Sequence, residues 1–536
     1  MTELDTAKKK PVHRNIVMIL VDEERVPMHF PAGVSLPARE WLRARGVSFE
    51  RHFVNTAPCT PSRSVIFTGW HTPRNGMIDN TPFAYVGDMD PSIATLGDMA
   101  AAAGYYSVYK GKWHLANIDP VVEPRYTTED AMCGYGFFDF QHDGDLHSVG
   151  REGYTHDGYI AASAIRWLDN WINYDSRAAT QPFFLVCSFV NPHDVMTADM
   201  GETQVQPPSA SMAIKTPPKH AIYAAEHDVA LPPSFDADYN SETWANKPAA
   251  QREFDRLFTG NFGNIEKSEV EMWKAYVNYY INCQRDVDRH IMSVLAHLED
   301  TGLLDDTIVI FTADHGEMAG AHGLRTKGPF MYEETSHVPL IICHPEGRKG
   351  ETTSVMSAAL DIAPTLMGLA ELTSEQRAGF PHILGHDLSP AVKDRNFAGP
   401  RDAILFTYTC LSTLDADFVL DTTEQTPLDP NKRGLMLGVR TATHKFARYF
   451  APTVKTVVPN TIEELTAEFD LELYDLGADP DEIENLANAV ADDPEIQALM
   501  LQLNNKLNAM LVLELADVPI PTALPSDLST IRGPLT

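Results

Sequence analysis

Four short runs, Ile16–Val21, Phe183–Phe189, Thr307–Thr312 and Pro339–Cys343, are apolar on both of their alternating sides. Successive side chains of a strand point to opposite faces, so a strand with one wet face would alternate apolar and polar residues. These runs do not alternate. They are five to seven residues long and rich in β-branched and aromatic residues, which predicts central strands of a sheet covered on both faces. Between them, Tyr159–Tyr174 and Glu269–Leu298 space apolar residues three and four apart, the period of an amphipathic helix. Strand–helix alternation implies an α/β layered domain, in which ligands bind beyond the strand ends.

The texture changes at SPAVKDRNFAGPRD, residues 389–402. Beyond it, Ala403–Tyr408, Leu435–Arg440 and Lys445–Phe450 read as antiparallel strands. Asp493–Leu513 reads as a helix, with Asp493 as N-cap and Pro494 in its first position. The expected division is a catalytic domain over 12–395, a smaller α+β domain with an antiparallel sheet over 396–515, and a proline-rich tail over 516–536. The stretch 195–265 holds Pro207, Pro208, Pro217, Pro218, Pro232 and Pro233 with little periodicity, and is expected as an insertion over one rim of the active site. Ile520, Leu524, Leu528 and Ile531 would be exposed on a loose tail, so the tail is expected to grip a neighbouring subunit of a homo-oligomer.

Asp and Glu total 74 against 42 Lys and Arg, a formal charge of −32, which disfavours nucleic acid as a partner. No apolar stretch reaches the roughly 18 residues of a membrane span, and Ile16–Val21 is too short for a signal sequence. A soluble, cytoplasmic protein with no membrane partner is therefore expected. Cys59, Cys133, Cys187, Cys283, Cys343 and Cys410 form no C-x-x-C pair, as expected of reduced thiols.

The motif of greatest consequence is Cys59-Thr60-Pro61-Ser62-Arg63, followed by Thr68-Gly69. With its proline two residues and its arginine four residues after the cysteine, it resembles the signature of the sulfatase family, within the alkaline phosphatase superfamily. The likeness extends to TADHGEMAGAHGLRTKGPF, SAALDIAPTLMGLA, VRTATHKFARYF and ELYDLGADPDEIENLA, spanning roughly residues 14–490. It implies an alkaline-phosphatase-like large mixed β-sheet sandwiched by helices, and the arylsulfatase, choline-sulfatase and phosphonate monoester hydrolase branches are its neighbours. It also implies that Cys59 is converted to formylglycine by a formylglycine-generating enzyme. A hydrated aldehyde carries two hydroxyls on one carbon, so one can attack sulfur and the other can expel sulfate.

The same resemblance implies one divalent metal ion bound by Asp22, Glu23, Asp314 and His315 with the residue at 59. Three carboxylates suit calcium, while an imidazole nitrogen suits Mn or Zn. Glu23 stands where the family usually has an aspartate. Arg63, Lys112, His114 and Lys327 supply a cationic pocket, with Lys110 read as a surface lysine. Asp314 is expected to take the attacking proton, and His193 with Lys327 to protonate the departing group. His114 would take the second hydroxyl proton. Asn80, 21 positions after Cys59, matches an asparagine of the choline-sulfatase and phosphonate-hydrolase relatives and would donate a hydrogen bond to the ester; the local alternative is a turn residue before Thr81-Pro82. The expected activity is hydrolysis of a small anionic sulfate ester, with a phosphonate monoester or phosphodiester hydrolase as the alternative and a non-catalytic binding protein as a remote one.

Overall fold

In a computed structural model, which describes residues 13–81, 83–118, 128–140, 144–147, 149–207, 210, 213–235, 247–515, 520 and 524–532, the chain builds two sheets. The larger comprises β1 (Asn15–Asp22), β2 (Val47–Phe53), β3 (Tyr106–Gly111), β4 (Phe183–Pro192), β5 (Thr307–Ala313), β6 (Leu340–Cys343) and β7 (Glu351–Ala358), ordered β3-β4-β1-β5-β6-β2-β7. Only β6 runs antiparallel to its neighbours; the other pairings are parallel. The mixed sheet and its helical cover match the fold class expected from the sequence.

The four apolar runs are β1, β4, β5 and β6. On β1 the two sides separate cleanly. Ile16, Met18 and Leu20 join a core with Val65, Ile66 and Leu366, while Val17, Ile19 and Val21 join one with Ile160, Trp167, Val287 and Val294. The second group comes from helices Glu152–Tyr174 and Val270–Asp300, the observed forms of the two amphipathic stretches. Each such side chain contributes about 1.5–3 kcal/mol by leaving water, so a polar residue on either side of β1 would be costly. β2, β3 and β7 escape a reading by apolar continuity because they carry Glu50, Arg51, Lys110 and Glu351.

The second sheet is antiparallel, ordered β11-β10-β9-β8 from β8 (Ala403–Tyr408), β9 (Leu435–Thr441), β10 (His444–Phe450) and β11 (Asp470–Asp475). Helix Pro494–Met510 shares its core through Met500, Leu503 and Leu507, and Asp493 caps it by accepting from the Glu495 and Ile496 amides at 2.8 and 3.3 Å. Ile520 and Ile531 are buried in that same core, with Leu524 and Leu528 packed against it. These four residues thus pack against their own chain, which removes the reason for assigning them to a neighbouring subunit. Residues 516–519, 521–523 and 533–536 of that tail lie outside the described residues, as do residues 1–12, Pro82 and Pro208. No described helix is long and apolar enough to cross a membrane.

Within 195–265 the described residues before helix Ala249–Phe262 are mostly turns and irregular backbone, with a bridge between Ala198 and Lys215. Phe254, Phe258 and Phe262 of that helix pack with Met196, Met318 and Phe330.

Candidate active site

Six strands of the larger sheet share a direction, so their C-terminal ends meet along one edge. Asp22 and Glu23 leave β1 there, Lys112 and His114 follow β3, His193 follows β4, and Asp314 and His315 follow β5. After β2 the chain returns to the same edge and enters helix Cys59–Thr68, whose residues are all buried. Gly69 ends that helix at φ +66°; a Cβ there would meet Ile383 at 2.8 Å and Ala363 at 3.0 Å, so the Thr-Gly ending has a steric cause.

One ligand atom from each of Asp22, Cys59, Asp314 and His315 lies within 4.8 Å of the others, all from buried residues. Cys59 Sγ is 3.1 Å from His315 Nε2 and 3.7 Å from Asp22 Oδ1. His315 Nδ1 faces the Gly316 carbonyl at 3.0 Å; a carbonyl only accepts, so the proton sits on Nδ1 and Nε2 keeps its lone pair toward the cluster. The outer carboxylate oxygens are held by cations: Asp22 Oδ2 by Lys112, and Asp314 Oδ2 by Arg63 at 3.2 Å. Their inner Oδ1 atoms lie 3.5 and 3.7 Å from His315 Nε2. Two buried carboxylates and an imidazole lone pair converging in this way fit a divalent cation, and the mixed oxygen–nitrogen set accommodates Mn or Zn as well as calcium.

Burial would raise the Asp22 carboxyl, but Lys112, His193, His315 and Lys327 hold it well below the ordinary range. The Cys59 thiol is pushed up to about 11 by burial and by Asp22 and Asp314, against Lys112 and Lys327. As a plain thiol it is protonated at neutral pH and a weak nucleophile.

Arg63 is fully buried and engaged along its whole fork. Nε donates to the Trp113 carbonyl at 2.9 Å, Nη1 to Asp314, and Nη2 to Tyr109 OH at 2.9 Å, Ser188 Oγ at 2.7 Å and the Lys112 carbonyl. His114 is fixed from behind, its amide donating to Asp145 at 2.5 Å and its Nε2–H to the Thr81 carbonyl at 2.8 Å. That leaves Nδ1 as a buried lone pair with no hydrogen-bond partner among the described residues. Burial and Lys112 hold this imidazole well below its ordinary range, hence neutral. Lys110 corrects the surface reading: it is buried, and its ammonium donates to the Asp139 carbonyl.

Glu23 is not brought to the four-atom cluster. Its backbone is left-handed at φ +71°, held by its amide on Asp314 Oδ1 at 3.1 Å and its carbonyl on Tyr280 OH at 2.9 Å. The side chain turns toward Lys327 and His193, where one ligand atom from each of Glu23, Asp22 and His193 lies within 4.8 Å of the others, a second group beside the four. Oε1 accepts from Thr326 Oγ1 at 2.9 Å, and Oε2 lies 3.1 Å from Lys327 Nζ and 3.7 Å from His193 Nε2. Burial works against the Lys327 ammonium, but Cys59, Glu23 and Asp22 more than offset it and keep it charged. His193 is buried, and burial with Lys327 holds it neutral. Asn80 Oδ1 accepts from the Thr60 amide at 3.0 Å, which fixes the orientation of its carboxamide beside Lys327 in a shared cavity.

Four supporting residues were not singled out from the sequence. Ser188 was legible as the one hydroxyl in an apolar strand, and Tyr109 as the aromatic residue of β3 nearest the Lys-x-His pair. Asp145 lies in no motif. Glu317 sits inside one, and its Oε1 accepts from the Ala319 and Thr326 amides at 2.8 and 2.7 Å, shaping the loop that presents Lys327.

A family model described as Sulfatase matches residues 14–372. Arylsulfatase K of Danio rerio is 27% identical over 390 residues, covering 70% of this chain and 68% of that protein. N-acetylglucosamine-6-O-sulfatase of Bacteroides thetaiotaomicron is 26% identical over 518 residues, covering 89% and 83%. Among solved structures, a 2-O GAG sulfatase superposes with a TM-score of 0.67 at 19% identity, covering 94% of this chain and 93% of that one.

Proposed function

Because the chain belongs to the sulfatase family of sulfuric ester hydrolases, we propose that it cleaves the sulfate monoester of a small organic alcohol or phenol with Cys59 carried as formylglycine. The observation that most supports this reading is the setting of Cys59. Its thiol is a weak nucleophile, yet it lies at the focus of Asp22, Asp314 and His315, with Lys112 and Arg63 behind them. A hydrated aldehyde in that place needs no thiolate. A formylglycine-generating enzyme is the implied maturation partner.

Asp22, Asp314 and His315, with the residue at 59, would hold a divalent cation, which supplies Lewis-acid stabilisation of charge on the transferring group. Asp314 accepts the proton of the attacking hydroxyl. Lys112 and Lys327 stabilise the sulfuryl oxygens, as fixed charges in a dry site do most effectively. Lys327 is the charged group at the leaving-group end and, with His193, supplies the proton to the departing oxygen. The Nδ1 lone pair of His114 takes the last proton as sulfate is released.

The reading is tested by mass spectrometry of the peptide containing Cys59, followed by kinetics with a sulfate and a phosphonate ester of one common phenol. Formylglycine at 59 and a higher kcat/KM on the sulfate are expected, and Cys59→Ala should lose several orders of magnitude while keeping its circular dichroism. Full activity with an unmodified thiol would overturn the formylglycine assignment. A strong preference for the phosphonate would place the chain in the alternative class.

A further inference from the structure

Three histidines stand at the site, and two have their rings tethered, His315 by the Gly316 carbonyl and His114 by the Thr81 carbonyl. His193 differs. It is fully buried, yet neither Nδ1 nor Nε2 has a hydrogen-bond partner among the described residues, and Glu23 Oε2 stands off at 3.7 Å. An imidazole that must present one N–H to a departing oxygen therefore takes its aim from its backbone. We propose that Asp157 and Asp194 are positioning residues that clamp the His193 turn to helix Glu152–Tyr174 and so set proton delivery to the leaving group. The proposal rests on the sulfatase reading, in which His193 serves the departing oxygen, and goes beyond it by assigning what aims that residue.

The clamp follows from a break in the sheet. β1 advances from Leu20 to Asp22 while β4 advances from Ser188 to Pro192, and the pairing of β3 with β4 ends at Ser188. The extra residues of β4 bulge out, so the Val190 and Asn191 amides leave the ladder in a dry interior and need other acceptors. Asp157 supplies both. Its Oδ1 accepts from the Val190 amide at 2.8 Å and its Oδ2 from the Asn191 amide at 3.0 Å. Just beyond, the relation reverses. Asp194 Oδ1 and Oδ2 accept from the Gly153 and Tyr154 amides, each at 2.9 Å, in the first turn of the same helix. Amides there lack intrahelical partners, and the helix dipole favours a negative group. His193 lies between the two bridges.

Contacts beside the bridges leave the turn little freedom. A Cβ on Gly153 would come within 2.4 Å of Asn191 Cγ, so glycine lets the helix end lie against the turn. Asn191 Nδ2 donates to Tyr223 OH at 3.4 Å, and Tyr223 OH donates to Asp286 Oδ2 at 2.6 Å on helix Val270–Asp300. Burial pushes both clamp carboxyls above their ordinary range, Asp194 to about 7, and Asp286 adds repulsion that the four amides oppose. Buried acids that repel one another are poor sources of stability, so the clamp is better explained by the placement of the residue it encloses.

The test is kcat/KM of the metal-loaded enzyme on sulfate esters of phenols ranging from 4-nitrophenol to unsubstituted phenol. A carboxamide at 157 turns an NH2 group toward a backbone N–H and opens one bond of its bridge. Asp157→Asn should lower kcat/KM on phenyl sulfate about tenfold or more, the effect of a misaligned proton donor, and on 4-nitrophenyl sulfate less than about twofold, because that anion departs without help. Gly153→Ala, which pushes on Asn191 without a change of charge, should steepen the dependence in the same sense and serves if Asp157→Asn does not fold. In a His193→Ala background neither change should alter the slope further. An equal loss on all esters, or a slope change that persists without His193, would overturn the proposal. If phosphonate esters of the same phenols are the better substrates, the sulfatase reading falls and the clamp is judged on their slope. If neither class turns over, hydrogen exchange of the peptide spanning His193 decides: faster exchange in Gly153→Ala keeps the clamp, and exchange as slow as in the unaltered protein removes it.

Discussion

Glu23 offers the sharpest perturbation, because adjacency in sequence makes it a metal ligand and its geometry makes it the partner of Lys327. Replacement by Gln removes its charge and keeps its shape. At 3.1 Å and an effective dielectric of about 20, the Glu23–Lys327 attraction is at most roughly 5 kcal/mol, because burial and Glu317 push the Glu23 carboxyl well above its ordinary range against Lys327. A carboxamide oxygen still accepts from Lys327 and Thr326, and such hydrogen bonds recover about 1.5–3 kcal/mol where one partner is charged. The net loss is then on the order of 2–3 kcal/mol for Glu23→Gln, and about 3–5 kcal/mol for Glu23→Ala, which strands a buried ammonium. For one cooperative unit of this length, roughly 1 °C of Tm is lost per kcal/mol, so Glu23→Gln should melt about 2–3 °C lower. The decisive assay is metal content by elemental analysis, with metal affinity from chelator competition. Both should match the unaltered protein, while kcat falls most for esters of the least acidic alcohols, which depend most on Lys327. Substoichiometric metal, or affinity reduced tenfold or more in Glu23→Gln, would refute this and return Glu23 to the metal.

Asn80→Ala should lower kcat/KM for a sulfate and a phosphonate ester of one phenol by about 1–3 kcal/mol of transition-state stabilisation, the scale of a hydrogen bond to a charged group; unchanged values for both would leave Asn80 a turn residue holding the Thr60 amide. Asp194 accepts from the Gly153 and Tyr154 amides, and burial pushes its carboxyl up to about 7. Its folded value lies above the unfolded one, so the native state binds the proton more tightly and stability falls as pH rises from about 4 to 7. Asp194→Asn should flatten the urea-midpoint profile in that window, by up to about 4 kcal/mol; parallel profiles would show that Asp194 is not the titrating group. Truncation after Ala516 strips Ile520 and Ile531 from the core of the smaller sheet and should lower Tm without changing the mass in light scattering; a smaller assembly would restore the tail to a subunit contact.

Much of the fold was legible because a continuous apolar run has few places to go. β1 and β5 are buried on both sides, and nothing in their sequence competes with that reading. β2 and β7 were not legible, since Glu50, Arg51 and Glu351 break the run and only the sheet order explains why partly wet strands pair there. Cys59, Arg63, Lys112 and Asp314 could be named from motif position, and the structure gathers them on one edge. Glu23 could not be placed that way. Its direction depends on a left-handed backbone angle and on Lys327, 304 positions along the chain. Lys110 failed for a similar reason: what decides its fate is the Asp139 carbonyl, which no local pattern announces.

The acidity of the chain then takes on a specific meaning at the site. Asp22, Glu23 and Asp314 face Arg63, Lys112 and Lys327, three acidic groups against three basic ones. Glu317, capping the loop behind Glu23, adds one further carboxylate; burial and Glu317 push the Glu23 carboxyl well above its ordinary range against Lys327, so the three cations are at best matched, and both histidines of the leaving-group and release ends are neutral. Such a site alone offers an anion no net attraction, and the chain's formal charge of −32 repels it. A divalent cation in the Asp22–Asp314–His315 cluster would make the local balance positive, as a singly charged sulfate ester requires. Anion binding and cation binding are therefore coupled: in calorimetry, sulfate should bind the metal-loaded protein measurably and the chelated protein weakly. Equal sulfate affinity in the two states would mean that the lysines and Arg63 suffice, and that the carboxylates around them are screened by something other than a metal.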